Sequence, residues 1–529
     1  MKKFDDLKRL FSEGRISRRD FIKSSTALGF AAAIPVALLA EEAKASEPKR
    51  GGKLTQAVRG GAISDSLDGA RLVDTHNVNV SWQLRNNMTE VKPDGSLVGE
   101  VVEDDWEASG DAAQWVFKVK KDVEFHNGKT LDAEDIVFSI NHHRGADSTS
   151  GGSGAVTGIE DIKADGKDTV VFKLKSGNSD FPFLMADYHL TIVPANSSDL
   201  GDGMGTGPFM LKAWDPGVRA ETVRNPNYHK EGRPYFDEVE TLNVAEVQAR
   251  MSAVQTGEVH CIEEPDLKTV HLLAAQPGIV IKETPGNKHF NYPMQTTKAP
   301  YDNNHVRMAL KFAIDREVLL RVLLRGHGYL GNDHPIGRGQ RYFAEDLEQR
   351  SYDPDKARWH LKQAGLSSLD VTLDAGDIYP GAVDGAVLFR EHAAKAGINI
   401  NVNRVPTDGY WDEIWLKKDF CVSYWSGRAT EDWMFSTAYL STSEWNDMGP
   451  WKNEAFDKLL LEARSELDED KRRVLYHEMQ RMVKDESGSV IPLFASWVMA
   501  LSDKLGTAEQ LAGNWVMDGN KNTERWWFV

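Results

Sequence analysis

The chain of 529 residues carries 63 Lys and Arg against 80 Asp and Glu, a net charge of −17. A field of that sign repels nucleic-acid phosphates and anionic lipid headgroups, which excludes both as partners and favours a soluble monomer. The length is that of two or three domains, each with a sizeable core.

The first feature in chain order is Ser17-Arg18-Arg19-Asp20-Phe21-Ile22-Lys23. An apolar run over 27–40, too short to span a bilayer, and the small-x-small site Ala43-Lys44-Ala45 follow it. That succession reads as a twin-arginine signal, recognised by the twin-arginine export machinery and cleaved near Ala45. No cysteine stands at the cleavage point, so a lipid anchor is not expected, and the destination implied is the periplasm of a Gram-negative bacterium. Without the leader's nine basic and six acidic residues the net charge is about −20.

Strand and helix patterns then alternate to the end, which predicts mixed α/β domains. Residues 115–119 and 169–174 read as strands bounded by Asp, Lys and Gly turns. Between them, 132–141 reads as a helix capped by Asp132 with a stripe of Ile136, Val137 and Ile140, and 145–158 as a Gly/Ser-rich loop. Residues 306–324 read as one long helix, since Val306, Leu310, Ala313, Ile314 and Leu320 recur at three- and four-residue steps before Gly326 and Gly328. Two more amphipathic helices are expected at 456–466 and 471–484, joined by an acidic turn over 468–470. Cys261 and Cys421 fall far apart in apolar strand-like runs and read as buried thiols rather than a disulfide.

Ordered stretches through the mature chain carry a family resemblance. They include Arg50-Gly51-Gly52-Lys53-Leu54, Val123-Glu124-Phe125-His126-Asn127-Gly128-Lys129, Leu131-Asp132-Ala133-Glu134-Asp135-Ile136-Val137-Phe138-Ser139, Gly205-Thr206-Gly207-Pro208-Phe209, Arg224-Asn225-Pro226-Asn227-Tyr228, Val306-Arg307-Met308-Ala309-Leu310 and Ile491-Pro492-Leu493. The chain resembles the extracellular solute-binding proteins of family 5, the peptide/nickel/opine class of periplasmic receptor serving ABC importers. The resemblance implies an α/β, two-lobed periplasmic-binding-protein type 2 fold with an extra subdomain in the first lobe, closing on its ligand by hinge bending. Mapped here, lobe I would comprise 46–288 and 499–529, with the subdomain at about 91–194, and lobe II would comprise 289–498. A membrane permease would be the partner, and neither cofactor nor metal is implied.

Candidate ligand-facing residues cluster where aromatic density is highest. Trp411, Trp415, Trp425, Trp433, Trp445 and Trp451 fall within 41 residues of a chain with 15 tryptophans. Six such large, amphipathic rings in one polar, Gly-containing stretch point to a lined cleft, with ordinary packing the alternative. In peptide binders of the resembled family, a loop aspartate here pairs with the ligand's α-ammonium. The nearest carboxylate in this sequence is Glu431, beside Asp432, which could instead cap a helix. Arg428 adds a guanidinium fork for a carboxylate, so the loop offers both signs and suits a zwitterion. On the first lobe His76, Asn77 and Arg85 are candidates, with a capped helix starting near Thr75 the alternative; Tyr292 follows the first crossing between lobes.

Catalytic and metal patterns are weak. His142-His143 diverge by about 100° on a helix, His477-Glu478 lacks a histidine four residues on, Gly151-Gly152-Ser153-Gly154-Ala155 is not a nucleophile elbow, and the glycines of 201–207 lack the ending of a phosphate loop. The expected function is capture of a small peptide or peptide-like zwitterion. An oligosaccharide, opine or metal chelate on the same fold is the alternative, and a periplasmic hydrolase a distant third.

Overall fold

Alternating apolar runs bounded by Gly, Asp and Asn turns build the largest sheet. In the computed structural model, which describes residues 48–529 apart from 444, 447 and 450, this sheet has nine strands. They are Lys53–Val58 (β1), Phe209–Asp215 (β2), Arg219–Arg224 (β3), Glu238–Asn243 (β4), Cys261–Glu263 (β5), Ile279–Pro293 (β6), Gly328–Leu330 (β7), Ser423–Trp425 (β8) and Ser489–Ser502 (β9). The order is β8-β6-β9-β5-β1-β4-β3-β2, with β7 on β9. Since β1 is parallel to both β4 and β5, the carboxyl ends of the three open on one edge. The export leader and its cleavage site lie outside the described residues.

β6 and β9, of 15 and 14 residues, run antiparallel through two different cores. Ile279 to Pro285 pair with Ser502 to Ser496; after an irregularity, His289 to Pro293 pair with Phe494 to Ser489. Gly286 sits in the interruption because a Cβ there would stand 2.7 Å from the Ala495 carbonyl oxygen. On one side, Met499 and Leu501 join Leu54, Val58, Phe236 and Trp526, so both ends of the described residues share a core. On the other, Phe290, Tyr292, Val490 and Leu493 pack with residues drawn from 301–422. This gives the α/β, two-lobed architecture.

A third core stands apart. Trp115, Phe117, Phe172 and Phe181 are buried by a four-stranded sheet, in the order Glu107–Ala108, Gln114–Lys118, Thr169–Leu174, Ile159–Ala164. Burial of each such ring contributes about 1.5–3 kcal/mol.

The helices follow their caps. Asp74 and Asn77 form a capping box on Thr75–Leu84 (α1), and Asp132 with Asp135 another on Ala133–Asn141 (α2). The stretch expected as one helix over 306–324 is two, Asn304–Phe312 (α3) and Arg316–Leu323 (α4). The Asp315 carboxylate accepts from the Val318 amide at 3.0 Å and starts a second helix where the apolar pattern alone reads through. The pattern misleads because Leu310, Ala313, Ile314 and Leu319 all enter the same core. Glu431–Ala438 (α5), Glu454–Ser465 (α6) and Glu469–Glu486 (α7) are capped by Thr430, Asn453 and Asp468. The loop read at 145–158 contains one helical turn, Ser153–Val156. Both cysteines are buried thiols, not joined in a disulfide.

Candidate functional site

Beyond the carboxyl ends of β1 and β5 the chain leaves a crevice against the amino end of α1, the position where open α/β sheets receive ligands. A cavity of about 310 Å³ lies there, lined by Arg59 after β1, Asp74 and Thr75 at the start of α1, Glu263 and Glu264 at the end of β5, and Ser426 just after β8. Tyr188, Trp497 and Trp515 supply aromatic walls, with Tyr188 and Trp515 edge to face at 5.5 Å. The Trp497 indole donates to the Gly513 carbonyl at 2.9 Å, and Gly513 lines a second, larger cavity of about 690 Å³. That cavity extends past Pro285 and Asn287 to Phe183, Arg341 and Glu431. Residues of both lobes line each space.

The second lobe carries the tryptophan cluster; Ser426 and Glu431 of the adjoining loop line the cavities, but Trp411, Trp415, Trp425, Trp433 and Arg428 line neither. Trp415 lies 5.6 Å from Trp411 and 6.0 Å from Trp425, while Trp445 lies 6.4 Å from Trp425. Trp411 and Trp445 remain 42% and 52% exposed, which leaves an open aromatic face. Trp451 instead packs on Phe456 at 5.2 Å inside a helical core. The Arg428 guanidinium stands over the rings of Trp425 and Trp433, 5.3 and 5.8 Å from their centroids, and donates to the Gly427 carbonyl at 2.7 Å. Among the described residues no carboxylate pairs with it. Burial lowers its pKa, and Tyr188 of the first lobe opposes that shift.

The two loop carboxylates are more internal than their sequence position suggests. Glu431 is 2% exposed, and its Oε1 accepts from the Tyr342 amide at 2.7 Å; burial raises its pKa against the pull of Arg341. Asp432 accepts from Arg464 Nε at 3.0 Å, and the cap of α5 is Thr430 rather than Asp432. His76 is fully buried and stacks on Trp214 at 5.5 Å. Asn77 serves the capping box, its Oδ1 accepting from the Asp74 amide at 3.2 Å. Arg85 donates to the carbonyls of Met204 at 2.9 Å and Leu200 at 2.7 Å, and also to that of Leu67. Tyr292 packs on Phe389 at 5.4 Å within the second lobe. None of His76, Asn77, Arg85 and Tyr292 lines either cavity; Asp74 and Thr75, just ahead of His76, do.

Sequence reasoning missed the acidic wall. Glu263 Oε1 accepts from the Arg59 amide at 2.6 Å, while the residue is 0% exposed and its Oε2 has no hydrogen-bond partner among the described residues. Burial, helped by Glu264, pushes its pKa up to about 7, and burial raises that of Asp74 to about 6. Glu264 is paired with Arg59 at 2.6 Å. The signal available was slight: two consecutive glutamates closing an apolar run that ends in Cys261-Ile262.

One other acidic group, Glu90, Glu100 and Glu524, brings carboxylates close enough for a cation. Its charges are already met by Lys230, at 2.5 Å from Glu90 and 2.9 Å from Glu100, by Arg525 at 2.7 Å from Glu90, and by Lys521. This is a buried ion network, with no charge left over for a metal.

Comparison with known proteins fits this geometry. Residues 96–447 match bacterial extracellular solute-binding proteins, family 5, middle region. The chain belongs to this family. Its curated relatives include a probable D,D-dipeptide-binding periplasmic protein, DdpA, of Escherichia coli, 23% identical across 84% of this chain and 89% of the relative. Among solved structures, HbpA2 from Haemophilus parasuis superposes with a TM-score of 0.78 at 19% identity, covering 88% of this chain and 99% of that one. DppA from Helicobacter pylori, in complex with the peptide STSA, superposes with a TM-score of 0.70 at 21% identity, covering 92% and 99%. As a family 5 member, this is a solute-binding protein of an ABC importer.

Proposed function

We propose that the chain captures a small peptide or peptide-like zwitterion in the periplasm, closes its lobes around it and delivers it unchanged to a membrane permease. The observation that carries this reading is Arg428. A guanidinium held between two tryptophan faces at a lobe boundary, with no carboxylate on it among the described residues, is a receptor for a ligand carboxylate. The crevice carries Asp74, Glu263 and Glu264, and its wall residue Tyr188 lies within electrostatic reach of Arg428, so a ligand extending from the crevice toward Arg428 would meet both signs. The names of DdpA and of the peptide complex of DppA support the same ligand class.

Closure would take place about the interruption in β6 and β9, with lobe I at about 46–288 and 499–529, its subdomain at about 91–194, and lobe II at about 289–498. Export would follow the twin-arginine route, with the leader lost near Ala45. The test is mass spectrometry of whatever co-purifies from native periplasm, followed by calorimetry of that compound. Arg428→Ala should weaken binding by one to two orders of magnitude, about 1.5–3 kcal/mol for a charge-assisted bond. Recovery of a neutral sugar, bound equally by Arg428→Ala but lost with Trp425→Ala, would replace the zwitterion with an oligosaccharide.

A further inference from the structure

If the ligand is a zwitterion as proposed above, its cationic end needs a place, and the loop carboxylates offer a poor one. Glu431 is engaged by the Tyr342 amide and Asp432 by Arg464. We infer that the ammonium group of the ligand binds on the first lobe, against Glu263 and Asp74, in a box walled by Tyr188, Trp497 and Trp515.

The strongest element is Glu263. It lines the cavity and is fully buried, and its second carboxylate oxygen lacks a hydrogen-bond partner among the described residues. A buried unpartnered acceptor is costly unless something fills it, and it is matched by a donor that arrives with the ligand. The nearby cations do not fill that role. Arg59 directs its guanidinium to Glu264 at 2.6 Å. Arg250, packed behind β5, directs Nη1 to the carbonyls of Val244 and Ala245 at 2.8 Å each. Lys288 stands over the Tyr424 ring, 5.2 Å from its centroid. Asp74 adds a second carboxylate on the same cavity, one oxygen of which accepts from the Asn77 amide at 3.1 Å.

The walls suit the same guest. Aromatic faces attract a cation through their quadrupole, more strongly where water is excluded, and the three rings here are held in place. Trp497 is fixed by the Gly513 carbonyl and Tyr188 by its edge-to-face contact with Trp515. Arg428 stands on the other lobe, so a ligand whose carboxylate reaches Arg428 while its ammonium reaches Glu263 bridges the lobes and favours the closed form. Each charged end then reports on a different half of the protein.

The experiment uses the purified mature protein and two probes: an equimolar library of free dipeptides and the same library N-acetylated, with retention read by equilibrium dialysis and mass spectrometry. Glu263→Gln keeps the acceptor for the Arg59 amide, and Asp74→Asn keeps a competent helix cap. Wild type and Glu431→Gln should retain free dipeptides in preference to acetylated ones, while Glu263→Gln and Asp74→Asn each retain at least ten-fold less. Should Glu263→Gln fail to reach the wild-type melting temperature, Asp74→Asn decides alone. Equal retention of acetylated and free peptides, or loss with Glu431→Gln but not with Glu263→Gln or Asp74→Asn, overturns the placement while leaving the peptide reading intact. Retention of neither library by wild type defeats the peptide reading, and the placement with it.

Discussion

Asp180 should hold the lobes together. It lies in the subdomain sequence, just before Phe181–Leu184, and is 2% exposed in its side chain. Arg341 and Arg472, both from the second lobe, each bring a guanidinium nitrogen to 2.7 Å from Asp180 Oδ1. The contact is reinforced by Arg341 over the Phe183 ring, 4.5 Å from the centroid, and by the Ser179 amide donating to the Arg464 carbonyl at 2.7 Å. Opening would hydrate all three charges, so what Asp180 contributes to closure is the net value of charge-assisted bonds, not their full Coulomb energy. For a well-shielded site that is about 1.5–3 kcal/mol. At about 1.4 kcal/mol per factor of ten, Asp180→Asn should shift the closed-to-open ratio by about ten- to a hundred-fold toward open. Single-molecule energy transfer reads this without any ligand, between dyes at Val218→Cys and Trp359→Cys, positions 56% and 52% exposed on opposite lobes. The native thiols are buried and would stay unlabelled. A distance distribution in Asp180→Asn indistinguishable from that of the parent would refute the latch.

Three further outcomes are expected. Nearby cations hold Glu90 well below its ordinary pKa and Glu100 below its own, so their contribution to stability is present above about pH 4.5 and lost as pH falls through the depressed values; calorimetry should show the melting temperature dropping in that range. Lys521→Met removes one of the two cations on Glu100 and leaves Lys230, so it should cost about 1.5–3 kcal/mol by chemical denaturation, the value of one charge-assisted bond. For a ligand ammonium at Glu263, whose pKa is raised to about 7 by burial and by Glu264 against Arg59 and Arg250, affinity should rise as pH passes upward through about 7, because the ionised carboxylate is the binding form; a flat calorimetric profile would count against it. Replacing both Arg18 and Arg19 with Lys should leave uncleaved precursor in the cytoplasm on fractionation, since the export receptor reads paired guanidinium groups.

Much of the fold was legible because local signals and tertiary packing agree. Asp132 caps its helix, Asp468 caps α7, and the strands at 114–118 and 169–174 stand within one residue of where alternation puts them. The exception at 306–324 is instructive. Hydrophobic spacing reports which residues face the core, and Asp315 breaks the helix without turning either half away from that core. Periodicity therefore measured the face correctly and the continuity wrongly.

The site divides along a similar line. Tryptophan density located a cluster, since Trp411, Trp415, Trp425 and Arg428 do gather on the second lobe, though none of them lines either cavity. Charge, in contrast, has no such geometric signature in one dimension. Glu431 and Glu263 look alike as letters, yet one is satisfied by a backbone amide from residue 342, while the other lines a cavity and has a buried oxygen with no hydrogen-bond partner among the described residues. What separates them is contact with segments distant in sequence: Tyr342 for the first, and β1 beside β5 for the second. Aromatic clustering can be read from composition, whereas the partner of a buried carboxylate is decided only when the sheet brings its strand ends together. For that reason the most specific statement about the ligand rests on Glu263, which the sequence did not single out.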